Sequence, residues 1–472
     1  MLFTSSSFLI LLGITFIVYY LPFLRRWQTL MLIIASLIFY AWEQPYLLIL
    51  LLGSISFNTL TTQGIYLSQT PNQRKLIAVL GVSANLGLLA LFKYFKLIFV
   101  TVHGGLEDLT PVEAFLYYLP LPVGISFYTF EGISLLLDVF RSPEKPKWIP
   151  DKRLHFWYDT TLFVSFFPHL VAGPILKAHE FYPQINNQKK FTSIPWVRIF
   201  ETLLTGYFLK MVIADNLKDL TYQISYPAFL DLSAADLWLR LLGYSMQIFA
   251  DFAGYSLIAI GLADLFGYKL PDNFRFPYIA KSFSEFWTRW HISLSSWLKE
   301  YLYFSLGGNR KGKVRTYINL MLVMLLGGMW HGGAWSFMVW GGFHGLVLVI
   351  ERGIQQVVKL PNSIWVTTME RLLVFTGVSF AWLLFVLTDF SQALLYFKAT
   401  FTHTDIPFVW GPLQVQLVLY SLPVIIYHLL YLLPDSIKQN QLKMAKPIFY
   451  GTMLFLLLTN AGVPGSFIYF RF

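Results

Sequence analysis

Three of the nine histidines in this chain of 472 residues stand where an imidazole is unusual. His331 lies in Gly328-Met329-Trp330-His331-Gly332-Gly333, at the break between two apolar runs, and His344 lies in Gly341-Gly342-Phe343-His344-Gly345. His291 sits in an aromatic run, Trp287-Thr288-Arg289-Trp290-His291. Flanking glycines let another backbone, or a ligand, come close. A neutral imidazole in such a place can take a proton from a hydroxyl nucleophile, and a positioned general base is worth roughly 10²–10⁴ in rate. The plainer alternative is a histidine that packs and hydrogen-bonds a neighbouring helix. It weighs as much as catalysis for His331 and more for His344. His155, His179 and His403 fall in loops, His103 and His428 near segment ends, and His169 in a Phe-Phe-Pro-His-Leu turn. Metal-ligating histidines usually come in pairs at close helical spacing. No pair here does, so no metal site is expected. The absence of cysteine excludes disulfides, thiolate metal sites and a cysteine nucleophile.

Charged and polar side chains also recur inside apolar stretches. Tyr244, Gln247, Asp251 and Tyr255 share one helical face, as do Glu131, Ser134 and Asp138. A charge at the bilayer centre costs roughly 2.5–3.5 kcal/mol on insertion scales. Both faces must therefore point into protein, as interhelical hydrogen bonds or as functional groups. A proton-coupled transporter would use these carboxylates as a relay. It would leave the Trp-Arg-Trp-His run unexplained.

The elements that carry these residues are membrane helices. Hydrophobic residues make up 56% of the chain and charged residues 13%, where soluble domains average roughly 25% charged. A span needs about 20 apolar residues. Candidate spans cover roughly 6–24, 29–43, 46–66, 76–101, 115–139, 160–176, 197–214, 235–266, 316–330, 334–351, 369–388, 411–433 and 447–463. The 160–176 run contains Pro168, Gly173 and Pro174, which predicts a bent or re-entrant segment. The run from Ser284 to Tyr303 is too polar to span and too aromatic for water, which predicts an interfacial or partly re-entrant helix. The net charge of +10 is concentrated in loops such as Arg310 to Arg315. That is the pattern of cytoplasmic loops in membrane proteins, not of a nucleic-acid binder. Arg25 and Arg26 follow the first apolar run, which places the N-terminus outside the cytoplasm. One integral-membrane domain is expected over 1–472, with N-terminal helices to 115, a catalytic core over 116–350 and C-terminal helices over 351–472.

The run Ser284-Glu285-Phe286-Trp287-Thr288-Arg289-Trp290-His291-Ile292-Ser293-Leu294-Ser295 resembles the signature of the membrane-bound O-acyltransferases. Met329-Trp330-His331-Gly332 is similar to that family's second histidine motif. Phe249-Ala250-Asp251-Phe252-Ala253-Gly254-Tyr255, Pro271-Asp272-Asn273-Phe274, Leu306-Gly307-Gly308-Asn309-Arg310 and the ending Phe467-Ile468-Tyr469-Phe470 also fit. The likeness covers nearly the whole chain. It is greatest to the bacterial membrane subunits that O-acetylate alginate and other polysaccharides, with the D-alanyl transferases of teichoic acids more distant. Three positions depart from the pattern: Lys299-Glu300 stands for Arg-Asp, Glu131 for a glutamine, and the 380–386 run lacks an arginine.

The resemblance implies an all-α polytopic fold. A ring of about ten to twelve tilted helices, with re-entrant and interfacial helices, would enclose a tunnel through the bacterial cytoplasmic membrane. It implies His331 as the catalytic histidine and His291 as the second, nearer the cytoplasmic entrance. Asn273, Trp287, Arg289, Trp290, Trp330 and Asp251 would line the tunnel. No permanently bound cofactor is implied. Acetyl-CoA would be the donor, and a polysaccharide, or a periplasmic serine-hydrolase-like partner, would accept the acyl group. Transfer of D-alanyl or another acyl group to a cell-wall polymer is the related alternative.

Overall fold

The computed structural model describes residues 1–103, 109–358, 361, 363–434, 436, 443–465 and 467–468. Tyr469 and Phe470, part of the terminal motif, lie outside the described residues. The described residues hold helices and no named strand. Among the described residues, seven helices are long and apolar enough to cross a membrane: Pro22–Ala41, Leu47–Leu67, Pro71–His103, Ala234–Leu265, Trp335–Val357, Ile364–Val386 and Pro412–Leu430. Ser6–Tyr20 and Met444–Thr459 are shorter apolar helices. Large apolar side chains such as Ile10, Ile14, Ile17, Val102 and Trp365 lie exposed. Such surface is tolerated where lipid is the solvent.

The chain forms two compact units, Met1–Ile199 with Ile258–Pro271, and Phe200–Leu257 with Asp272–Phe472. The first contains α1 (Ser6–Tyr20), α2 (Gln28–Ala41), α3 (Leu47–Leu67), α4 (Pro71–His103), α5 (Pro111–Tyr118), α6 (Ile125–Arg141), α7 (Arg153–Ser165), α8 (Phe167–Leu170) and α9 (Ala178–Ile185). The expected span at 115–139 is two helices, because Pro120 and Pro122 interrupt the ladder between α5 and α6. The bend expected in 160–176 is present. Helix stops at Ser165, resumes for one turn containing Pro168, and gives way to buried non-helical backbone.

The polar face of α6 holds that irregular segment. Glu131 Oε1 lies 2.9 Å from His169 Nδ1, and both side chains are fully buried. The Ser134 hydroxyl accepts from the Ala178 amide, and the Asp138 carboxylate accepts from the His179 amide. These groups have structural partners, which removes most of the motive for a proton relay.

The second unit contains α10 (Trp196–Tyr207), α11 (Asp215–Leu220), α12 (Ala234–Leu265), α13 (Phe283–Arg289), α14 (Ile292–Trp297), α15 (Lys313–His331), α16 (Trp335–Val357), α17 (Ile364–Val386), α18 (Phe390–Thr402), α19 (Pro412–Leu430) and α20 (Lys443–Thr459). The outermost turns of α10 and α12 are shared with the first unit. A π-helical turn, Phe208–Ala214, links α10 to α11, and another, Leu298–Tyr303, follows α14. Almost all of the most apolar stretch of α12 is buried.

The helices α15 and α16 form a tight antiparallel hairpin. A Cβ on Gly341 would sit 2.3 Å from the Met324 carbonyl oxygen, and one on Gly328 would sit 2.3 Å from the Phe337 carbonyl oxygen. Small residues at such crossings let membrane helices pack backbone to backbone. The hairpin turn begins at His331.

Candidate active site

The single aromatic helix expected over 284–303 is broken at its histidine. Ser282 caps α13 by accepting from the Glu285 amide, and Glu351 of α16 accepts from the Phe283 amide at 2.6 Å. After Arg289 the chain turns extended. Phe274 and Trp290 make an isolated antiparallel bridge, the Arg275 amide donates to the Arg289 carbonyl, and the Ile292 amide donates to the Asn273 carbonyl. His291 itself adopts a left-handed backbone with φ of 45°. That conformation is uncommon outside glycine, although histidine is among the residues that tolerate it. Non-glycine residues held there cluster at functional sites.

Asn273 governs the imidazole. Its Oδ1 lies 3.1 Å from His291 Nδ1 and accepts from the Ser293 amide at 3.3 Å and the Ser293 hydroxyl at 2.9 Å. Its Nδ2 donates to the Ser256 hydroxyl at 3.1 Å. The Ser293 amide can only donate, so Oδ1 is the acceptor end and His291 Nδ1 carries the hydrogen. Nε2 is then the nitrogen with the lone pair. Burial pushes the His291 pKa down to about 3, so the ring is neutral at physiological pH.

His331 ends α15 with 4% of its surface exposed. Its ring centroid lies 6.2 Å from that of His291, 5.1 Å from Trp330, 5.1 Å from Trp340 and 5.5 Å from Phe385. Trp330 also approaches His291, at 6.1 Å. The two histidines are 40 positions apart in sequence, and the fold makes them neighbours in an aromatic box.

The remaining expected residues divide. Trp287 Nε1 donates to His344 Nδ1 at 3.3 Å, and its ring lies 5.6 Å from Trp340. Trp340 in turn contacts His344 at 4.7 Å. A continuous ring series therefore runs from His291 through His331 and Trp340 to His344 and Trp287. Trp290 is 1% exposed and packs on Trp382 at 4.8 Å and Phe274 at 4.9 Å, as a floor for the bridge. Arg289 pairs with Glu285 at 2.8 Å and donates to the Arg275 carbonyl, which clamps the end of α13.

Asp251 belongs to an ion cluster. Its Oδ1 lies 2.7 Å from Lys210 Nζ, which also lies 2.7 Å from Asp215 Oδ1. Lys210 donates to the Gly465 carbonyl, and Asp251 Oδ2 accepts from the Ile468 amide at 2.7 Å. The trio thus fastens the segment around Phe467, whose ring stacks on Tyr255 at 4.7 Å and lies 5.7 Å from Phe252. Phe252 meets His291 edge-on at 4.7 Å. Asp251 reaches the site through this packing.

Residues the motifs did not single out complete the site. Trp340 precedes His344 by one helical turn, a spacing that places both on one face of α16. Ser293 follows His291 by two positions. Lys210 lies inside the expected span 197–214, where a charge is itself a signal, whereas Ser256 and Asp215 carry none.

Comparison with known proteins shows the family. Residues 152–396, which contain both histidines, match the family described as MBOAT, membrane-bound O-acyltransferase family. The chain is 38% identical over 411 residues to "Probable alginate O-acetylase AlgI" of Pseudomonas aeruginosa, covering 85% of this chain and 75% of that protein. It is 36% identical over 390 residues to a peptidoglycan O-acetyltransferase of Helicobacter pylori, covering 78% and 73%. It is 30% identical over 279 residues to a teichoic acid D-alanyltransferase of Bacillus subtilis, covering 56% and 68%. A buried histidine pair on a polytopic helical scaffold, inside a family match that spans more than half the chain, identifies the protein as a member of the membrane-bound O-acyltransferase family and as an O-acyltransferase.

Proposed function

We propose that this enzyme moves an acetyl group from cytoplasmic acetyl-CoA to a hydroxyl presented on the far side of the membrane. The observation that carries the reading is the pairing of His331 with His291, two buried imidazoles 6.2 Å apart between centroids. His331 takes the proton from the acceptor hydroxyl. The resulting oxygen nucleophile attacks the thioester carbonyl, the carbon–sulfur bond breaks, and the thiolate recovers a proton as CoA leaves. His291, held neutral with Nε2 as its lone-pair nitrogen, orients the reacting groups beside His331 through hydrogen bonding. The aromatic box excludes water that would hydrolyse the thioester.

The acceptor is an extracytoplasmic polysaccharide, or a serine-hydrolase-like partner that relays the acetyl group to one. Relatives named for alginate and peptidoglycan O-acetylation support this class of acceptor. The relative named for teichoic acid D-alanylation keeps another acyl group in view. On this reading the enzyme works in the bacterial cytoplasmic membrane with its N-terminus outside, an orientation supported by the basic loops.

Purified protein with radiolabelled acetyl-CoA tests the reading, alone and with candidate acceptors. Thioester consumption should fall at least 10³-fold in His331→Ala while donor binding survives, a loss on the scale of a general base. His291→Ala should lower turnover less. A wild-type protein that consumes carrier-bound D-alanine and ignores acetyl-CoA would sink the donor assignment. Full activity in His331→Ala would sink the base.

A further inference from the structure

The first unit contains a cavity of about 450 Å³ that the acyl-transfer site does not use. Its buried side includes Tyr19, Tyr268 and Asp159, Tyr158 is partly exposed, and Arg25 and Arg26 stand exposed at its mouth. Asp159 is 4% exposed, and its Oδ2 has no hydrogen-bond partner among the described residues. Two other buried side chains of the lining, Tyr19 and Gln28, are satisfied, Tyr19 by donating to the Phe266 carbonyl. Gln28 donates to the Tyr19 and Lys189 carbonyls and accepts from the Lys189 amide. A buried carboxyl left without a partner is costly. A cavity that ends on one calls for a ligand with a hydrogen-bonding cation.

We propose that this cavity binds the headgroup of an aminophospholipid, with the primary ammonium on Asp159 and the phosphate on Arg25 and Arg26. An ammonium gives the carboxylate a charge-assisted hydrogen bond. Guanidinium groups suit phosphate oxygens. The ligand's two charges thus match the cavity's two ends. The exposed aromatic and basic rim favours a lipid over a soluble zwitterion. The arginines belong to the turn Pro22–Trp27, where Phe23 is 74% exposed and Trp27 44% exposed. Exposed aromatic and basic side chains together mark headgroup level. The arginine pair closes α1 and opens α2, so an occupied site ties the turn between these helices to α7, which carries Asp159.

Native mass spectrometry of the purified protein, offered equal phosphatidylethanolamine and phosphatidylglycerol, tests this without reference to catalysis. The ethanolamine lipid should be retained about tenfold more, the worth of roughly 1.4 kcal/mol. Asp159→Asn should bring the ratio to about parity at an unchanged melting temperature. The surface double variant Arg25→Gln, Arg26→Gln should retain several-fold less of both lipids, and it decides the matter if Asp159→Asn does not fold. The proposal is overturned if either folded variant retains lipids as wild type does. It is also overturned if free O-phosphoethanolamine displaces the lipid as effectively as a short-chain phosphatidylethanolamine.

Discussion

Asn273 Oδ1 and His291 Nδ1 lie 3.1 Å apart, and the same oxygen accepts both donors of Ser293. One amide therefore sets the tautomer of the histidine and the left-handed turn that presents it. Asn273→Ala removes the acceptor and leaves buried donors unmet, a cost of about 1–3 kcal/mol. The ring would then be free to adopt the other tautomer. We expect kcat to fall 10- to 100-fold with little change in donor affinity. Asn273→Asp keeps the acceptor and should restore much of that loss. Steady-state kinetics on the three proteins checks this.

The hairpin crossing predicts a contrast between adjacent glycines. Gly341→Ala would drive a methyl into the Met324 carbonyl at 2.3 Å, so α15 and α16 must separate and His331 must move. We expect a loss of 2 kcal/mol or more and most of the activity. A Cβ on Gly342 meets only Leu325 Cδ2, at 3.5 Å. Gly342→Ala should be neutral or slightly stabilising, since alanine favours helix. Thermal melts in detergent would separate the two.

At the Glu131–His169 pair, His169 Nε2 lies 3.1 Å from the Phe163 carbonyl, an acceptor, so Nε2 donates and Nδ1 faces Glu131. The pair shares a proton whichever partner holds it. A glutamine amide can donate to Nδ1 in place of that proton, so Glu131→Gln should keep stability within about 1 kcal/mol and most transfer activity. His169→Ala strands the carboxyl and should cost about 3–5 kcal/mol. A proton-relay carrier would instead be disabled by Glu131→Gln, and transport or transfer assays on that single variant distinguish the two.

The His291 ring also predicts a pH dependence. Its folded pKa, about 3, lies below the unfolded value of 6.5. Between those values the unfolded chain binds a proton that the folded site refuses, so stability falls as pH drops below 6.5. The loss is about 2 kcal/mol by pH 5. His291→Gln should flatten that part of the profile when melting temperature is measured from pH 7 to pH 5. An unchanged slope would contradict a neutral buried ring.

Much of the site was readable because its residues lie in dense local runs. His291, Trp287 and Trp290 share one run, and Trp330 and His331 another. The break at His291 was not readable, because helical composition on both sides hides the bridge from Trp290 to Phe274, sixteen positions earlier. Hydropathy likewise drew one span over 115–139 where prolines divide two helices. Asp251 was placed on an inward face correctly, but periodicity does not say what a face meets. Its partner, Lys210, lies 41 positions away in a π-helical turn that no spacing rule marks. His344 stands out by its glycines, but no spacing says what it meets. Its contacts with Trp287 and Trp340 give it a place.

The ion cluster also has a consequence for biosynthesis. Lys210 bonds a carbonyl 255 positions later, and Asp251 an amide 217 positions later. While the ribosome is still making the intervening helices, these charges are already in the nascent chain without their last backbone partners. The wall behind Phe252 and His291 therefore closes only after the segment around Gly465 and Ile468 has been made. A chain interrupted before Gly465 would insert its helices and still lack the packing on which the histidine pair rests, so acyl transfer should begin only after the segment through Ile468 has been made.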